Sequence, residues 1–457
     1  MIDQSIFREY DIRGIVPDQL NANVVRVIAM AIAAKCSSER VNEIAIGRDG
    51  RLSGEELLKC LSLELQNLGL HVINVGLVTS PLLYYAAKKL SSKSGVMITG
   101  SHNPKNYNGL KIVINDSPVS GLEIFDFIST SDFPKMDYGD EVIKTNIMDE
   151  YIQEVCSQVT EKREILKVVI DCGNGAAGEI APKLIRALGH EVIELFCEID
   201  GEFPNHHPDP GKPENLQDLI NEVKDKQADV GIAFDGDGDR LGVVTDRGEI
   251  IFPDQLMMIF AKEVLTRNKG AQIIFDVKCS NLLNQSIEDN GGIPVMSPTG
   301  HFHIKNVLKK TSAPLAGEMS GHIFFNDRWY GFDDGHYSAF RLIEILIQSK
   351  KPLSLIYKDL PKAFSTPEMN IDVLEEKKFQ IVERFIQSSE FKGGEKNTID
   401  GLRVNFNDGW GLLRASNTTP KLVMRFEANT SERLEEIKNL FLVQLKQIDE
   451  SIEIKLS

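Results

Sequence analysis

Asp235, Asp237 and Asp239 occupy alternate positions where the apolar run 230–234 opens onto a loop loosened by Gly236 and Gly238, with Arg240 behind them. Like charges one residue apart repel, so such a cluster calls for a cation, and carboxylates are the hard oxygen ligands that Mg²⁺ or Ca²⁺ prefers. Ser101, in Thr99-Gly-Ser-His-Asn-Pro104, lies on another strand-end loop, followed by Tyr107, Asn108, Gly109 and Lys111. A hydroxyl there can accept and donate a phosphoryl group; the resulting phosphoserine carries close to two negative charges and needs a cation such as the aspartates would hold. Arg414-Ala-Ser-Asn-Thr-Thr-Pro420 puts a guanidinium fork, three hydroxyls and an amide on one short loop, with Gly409 and Gly411 just before it. That density of donors suits a phosphate dianion. Gly317-Glu-Met-Ser-Gly-His322 supplies a carboxylate and a hydroxyl, as a sugar's vicinal hydroxyls would require. His301 and His303, after Thr299-Gly300, are placed to carry a proton.

Each motif has rivals. An EF-hand also begins Asp-x-Asp-x-Asp, but Arg240 stands where its turn needs glycine, and a strand precedes the loop where a helix should. A haloacid-dehalogenase-type loop would make Asp235 a nucleophile, yet Asp239 stands where its threonine belongs. A solvated acidic turn, a turn serine at Ser101 and an Asx-type turn after Arg414 are the plainer alternatives. Asp171-Cys-Gly-Asn-Gly-Ala-Ala-Gly178 has dinucleotide-loop spacing. The corresponding loops at Gly47 and Asp276 lack that spacing, which weighs against a nucleotide site.

Three segments share one order of elements that would position these loops. The first has strands at 43–47, 70–75 and 95–100, with a helix over 55–68 opened by a Ser53/Glu56 capping-box pattern, and leads into Ser101. The second has strands at 167–171, 191–196 and 230–234 with a helix over 181–188, and leads into Asp235. The third has strands at 272–276, 293–296 and 314–317 with a helix over 282–288, and leads into Glu318. Continuous apolar strands alternating with helices predict sheets covered on both faces, with ligands at the strands' C-terminal ends. From about residue 364 the pattern changes to strands at 370–373, 402–406 and 422–426 with helices over 375–387 and 431–447, a smaller α+β domain. Pro352, Pro361 and Pro367 mark a hinge region between them.

A chain of 457 residues exceeds one core, and 42% apolar with 26% charged residues is a globular composition. A net charge of -16 argues against nucleic acid or anionic membranes as partners. The N-terminus lacks a signal-peptide pattern, no run is long enough to span a membrane, and six cysteines without a Cys-x-x-Cys pair read as reduced. A cytoplasmic enzyme is the expectation.

The order Ser101 loop, aspartate loop, Gly-Glu-Met-Ser-Gly-His and Arg-Ala-Ser-Asn-Thr-Thr-Pro, together with Phe7-Arg-Glu-Tyr-Asp-Ile-Arg-Gly14, resembles the α-D-phosphohexomutase superfamily over essentially the whole chain. Met319 and Thr419 are typical of its bacterial phosphomannomutase/phosphoglucomutase subgroup. The resemblance implies three similar α/β/α mixed-sheet domains and a smaller α+β C-terminal domain around a central cleft: a phosphoserine domain (1–147), a metal domain (148–249), a sugar domain (250–362) and a phosphate domain (363–457). It implies an isomerase that moves phosphate between C1 and C6 of glucose and mannose phosphates through a phosphoserine and a hexose 1,6-bisphosphate. Ser101 would carry the phosphoryl group, with Arg13, Lys111 and His301 sharing proton transfer. Asp235, Asp237 and Asp239 would hold Mg²⁺ with an oxygen on Ser101. Glu318 and Ser320 would hold sugar hydroxyls, and Arg414, Ser416, Asn417 and Thr418 the phosphate that is not reacting. Tyr10, His102, Arg240, Lys278 and His322 would line the cleft. Glucose 1,6-bisphosphate is the implied activator, hexose phosphates the implied partners, and a monomer the expected state.

An intermediate that turns around must be recognised through features common to both orientations, its distal phosphate and a pair of equatorial hydroxyls. Specificity at C2 is then lax. Purified protein is expected to isomerise both glucose 1-phosphate and mannose 1-phosphate in a coupled assay; turnover of one with none of the other would contradict this.

Overall fold

In the computed structural model, which describes residues 2–130, 138–159, 164–417, 419–450 and 452, the strands Glu43–Arg48, Lys167–Asp171 and Gln272–Asp276 each lie mid-sheet between two parallel partners. Their interiors are buried throughout, which explains why none alternates polar with apolar residues. In each sheet one partner, Gly95–Ile98, Val230–Phe234 or Leu315–Gly317, ends in a loop and pairs antiparallel with the strand that follows: Tyr107–Ile114, Leu241–Thr245 or Ile323–Phe325. Ser101, the aspartates and Glu318 occupy those three loops. The expected repeat is present, and helices Gly54–Asn67, Ala177–Ala187 and Asn281–Asp289 follow the three central strands. The first sheet gains an edge strand, Ile12–Ile15, whose pairing with Tyr107–Ile114 sets Arg13 opposite Gly109.

The fourth sheet is antiparallel, with Lys421–Ala428 flanked by Gly409–Ala415 and by Met369–Asp372, and helices Lys378–Ser388 and Ser431–Ile448 against it. Gly409 and Gly411 belong to the strand that carries Arg414. A β-carbon at Gly411 would stand 2.5 Å from the Phe441 ring, so the glycine lets helix Ser431–Ile448 approach the sheet. The Ser53 capping box fails to form: Ser53 has helical backbone angles, and its Oγ accepts from Asn108 Nδ2 at 2.9 Å. That bond fastens the helix to the serine-bearing sheet.

One apolar cluster runs from helix Ser80–Lys89 through the second sheet into the third. At its centre Trp329 stacks on Tyr337 at 4.4 Å, while Trp329 Nε1 and Tyr151 OH both donate to the buried Asp334 Oδ2, at 2.9 and 2.7 Å. The first three units thus share packing, whereas the last has its own core around Phe385, Phe426 and Phe441. It docks on the third through polar clamps. Arg403 donates to the carbonyls of Val277 and Cys279 and, at 2.6 Å, to Asn281 Oδ1; Arg425 donates to Lys278 O at 2.5 Å and to Asp254 Oδ2 at 3.1 Å. Trp410 lies 3.7 Å under the Arg403 guanidinium. No helix among the described residues is long and apolar enough to cross a membrane.

Arg403→Ala removes the donors for two buried carbonyls, each costing roughly 1–3 kcal/mol when left unmet, and for the half-buried Asn281 Oδ1. The expected outcome is an earlier thermal transition for the C-terminal unit; an unchanged unfolding profile would show that the docking does not depend on this clamp.

Candidate active site

Ser101 is buried and adopts a left-handed backbone angle, φ +47°, which non-glycine residues avoid. Arg51 holds it there. From the loop after the first strand, its guanidinium donates to four carbonyls: Ser101 O at 2.8 Å, Asn103 O at 2.6 Å, Pro104 O at 2.7 Å and Tyr107 O at 2.8 Å. Gly100 is required beside it, since a β-carbon would lie 2.5 Å from Arg51 Cζ. Asp49 balances the guanidinium at 3.3 Å and accepts from Thr99 Oγ1 at 2.7 Å, and Thr99 Oγ1 in turn accepts from Ser101 N at 2.8 Å. Arg13 donates to Asn103 Oδ1 at 2.5 Å and pairs with Asp11, so it flanks this loop.

The serine reaches the aspartates. Ser101 Oγ donates to Asp235 Oδ2 at 2.9 Å and lies 3.1 Å from His102 Nδ1. Asp235, Asp237 and Asp239 are fully buried, with an oxygen of each within 4.8 Å of the others. Lys111 enters from the first sheet, donating to Asp237 Oδ2 at 2.7 Å and Asp239 Oδ2 at 2.5 Å; Ser80 Oγ donates to Asp237 Oδ2 at 2.5 Å. Burial opposes the ammonium of Lys111, yet Asp237 and Asp239 hold its proton well above the ordinary lysine value. Burial, then Asp239 and Asp237, push the Asp235 carboxyl well above its usual range. Asp235 Oδ1 accepts from the backbone N–H of Asp239 at 3.1 Å and of Arg240 at 3.2 Å, so both its oxygens are engaged. Asp237 Oδ1 and Asp239 Oδ1 are buried without a hydrogen bond among the described residues; His322 Nε2 stands 3.2 Å from the latter, outside hydrogen-bond alignment. Three converging carboxylates with two unsatisfied oxygens fit a hard divalent cation. The Gly173–Gly178 loop is packed against this cluster: a β-carbon at Gly175 would lie 2.8 Å from Gly236 O. It leaves no room there for a dinucleotide's phosphates.

The third loop completes the far wall. Glu318 is buried, accepts from Gly300 N and sits 2.9 Å from His322 Nδ1, where Ser320 Oγ also lies at 2.9 Å. Burial opposes protonation of His322, but Asp239 and Glu318 overcome it and raise its pKa to about 9. His301, with its ring 5.8 Å from that of His322, is instead held neutral by burial and by Lys305 and Lys111. Arg240 Nε approaches His322 Nε2 at 3.3 Å and Asp235 Oδ2 at 3.9 Å.

A second polar centre faces the last domain. Arg414 is buried, with Nε on Asp400 Oδ2 at 2.9 Å and Nη2 lacking a partner among the described residues. Asn417 Nδ2 donates to Tyr10 OH, which donates to Thr299 O at 2.7 Å. Ser416 Oγ accepts from Thr419 N at 3.1 Å, and Lys278 Nζ, from the third domain, meets Glu368 at 3.0 Å. Tyr10 links the two centres, its ring 6.1 Å from His301. Thr418 lies outside the described residues. His206 is half-buried with Nε2 3.0 Å from Asp171. Arg51, Asp49, Ser80, Asp400 and Thr299 were not singled out in the sequence; the first two stand at the end of the first repeat strand, where ligand-site residues gather.

Four family descriptions match the chain in order: phosphoglucomutase/phosphomannomutase α/β/α domain I over residues 4–126, domain II over 149–248, domain III over 252–364 and the C-terminal domain over 368–442. The phosphomannomutase/phosphoglucomutase of Pseudomonas syringae pv. tomato is 51% identical, covering 99% of this chain and 98% of that protein. The phosphoglucomutase of Neisseria gonorrhoeae is 50% identical, with 96% of each covered. A crystal structure of a phosphoglucomutase/phosphomannomutase family protein from Burkholderia thailandensis superposes with a TM-score of 0.93 at 44% identity, covering 99% of this chain and 100% of that one.

Arg51→Lys keeps the charge but cannot span four carbonyls. It is expected to lower kcat by about a hundredfold through misplacement of Ser101, with binding of substrate little changed. Wild-type kcat in a stably folded variant would show that the clamp does not set the position of the serine.

Proposed function

The chain belongs to the phosphoglucomutase/phosphomannomutase family and is a mutase of hexose phosphates, and we propose that Ser101 is its phosphoryl carrier in transfer between C1 and C6. The observation that carries this is the 2.9 Å contact of Ser101 Oγ with one of three converging buried carboxylates. In the resting enzyme Ser101 bears the phosphate. A sugar hydroxyl attacks the phosphorus; its O–P bond forms as the seryl O–P bond breaks, the hydroxyl proton passes to a base, and the released Ser101 Oγ takes up a proton from an acid. The resulting 1,6-bisphosphate turns around and returns its other phosphate to Ser101 by the same step reversed. Glucose 1,6-bisphosphate from solution primes an unphosphorylated serine in this way.

His301, uncharged before the step, would take that proton, with Arg13 and Lys111 bordering the site of transfer. Asp235, Asp237 and Asp239 would hold Mg²⁺ with a phosphoserine oxygen, and the cation would supply charge neutralisation to the phosphoryl group. Glu318 and Ser320 accept and donate at sugar hydroxyls. Arg414, Ser416 and Asn417, with Thr418 from the sequence motif, grip the distal phosphate, toward which Arg414 offers Nη2, without a partner among the described residues. Tyr10, His102, Arg240, Lys278 and His322 enclose the sugar between the two centres.

Ser101→Ala is expected to cut turnover by about three orders of magnitude or more, roughly 4 kcal/mol in barrier, while Mg²⁺ binding persists. Intact mass should show a phosphate on the wild-type serine and none on the variant; full activity of the variant would remove Ser101 from the mechanism. Chelation should abolish turnover and Mg²⁺ restore it, and activity indifferent to chelator would count against the cation.

A further inference from the structure

A cavity of about 250 Å³ lies between the first and third domains, among the C-terminal halves of helices Ser80–Lys89 and His301–Thr311. Its floor is apolar and aromatic, with Tyr84, Leu308 and Phe332 buried and the Tyr84 and Phe332 rings 5.8 Å apart. Its rim is cationic: Lys88, Lys93, Lys305 and Lys309 line it against a single carboxylate, Asp116.

Two of these charges are answered by protein. Lys88 pairs with Asp116 at 2.5 Å, and Lys305 pairs with Asp333 at 2.6 Å while lying 4.0 Å over the Tyr84 ring. The other two have no carboxylate partner among the described residues. Lys309 donates to Ser117 Oγ at 2.7 Å, across the boundary between the domains, and the Lys93 ammonium has no polar partner among the described residues. Lysines in a helix's last turn ordinarily complement its dipole, which accounts for Lys88 and Lys309. It does not account for Lys93, which follows the helix in a left-handed turn at φ +48°.

We propose that this cavity binds a small anion of two or more negative charges, a phosphorylated organic acid, and that its occupancy tunes the mutase. The volume falls just under the range of drug-sized pockets, which selects a three-carbon phosphorylated acid over a nucleotide. An anion bridging Lys93 of the first domain and Lys309 of the third ties the two domains together. Both helices that wall the cavity also reach the catalytic centre at their other ends: Ser80 Oγ donates to Asp237 at 2.5 Å, and His301 begins the second helix. Binding therefore acts on turnover without competing for the sugar site.

The test is equilibrium dialysis of the full-length enzyme with 3-phosphoglycerate, with hexose phosphate present at saturation to fill the catalytic site. One equivalent is expected to bind and to change kcat while leaving KM for glucose 1-phosphate unmoved. Lys93→Glu combined with Lys309→Glu should weaken that binding at least about tenfold, since two attractive charges become repulsive. Its turnover without added anion should stay within about twofold of wild type, as expected for surface substitutions. Lys93→Arg with Lys309→Arg, which keeps both charges, should retain the site. Equal binding by wild type and the glutamate variant, or displacement of 3-phosphoglycerate by hexose phosphate, would overturn the proposal.

Discussion

Three carboxylates buried within 4.8 Å of one another are the most demanding feature of the molecule, because desolvated like charges are tolerated only where opposite charge is brought to them. The opposite charge comes from elsewhere in the chain. Lys111 arrives from the first sheet, Arg240 follows the loop itself, and His322 approaches from the third. Electrostatics therefore obliges the domains to converge at the point where the apolar cluster already joins them. The last domain has no part in that balance, and it is fastened separately through Arg403 and Arg425.

Much of this was legible in the chain because the repeat puts chemistry at one recurrent place. The three central strands are apolar without alternation, so their burial on both faces and the position of the following loops could be read directly. The fourth loop was harder. Gly409 and Gly411 look like loop residues, but they are small because Ile437 and Phe441 of the last helix press on the strand, a contact distant in sequence. Ser53 and Glu56 have the spacing of a capping box, and a tertiary partner, Asn108, claims the serine hydroxyl.

Arg51 illustrates what spacing cannot reveal. Its place past the end of a repeat strand hints at the site but not at its role, because its acceptors are main-chain carbonyls some fifty residues away, which carry no side-chain signature. The residues of the site divide accordingly. Those that would touch a ligand announce themselves by type and clustering, whereas those that position them act on backbone and become visible only once the loops are in place.

Tyr10 bonds Asn417, a separation of 407 residues, and the same hydroxyl reaches Thr299. The serine-bearing strand emerges from the ribosome long before the strand bearing Arg414, so one side of the pocket stays open until residues 414–417 have been made. A nascent chain halted just before that point carries the serine and the aspartates but lacks the wall that closes around them, and the pocket is completed by the latest of its contributors to be synthesised.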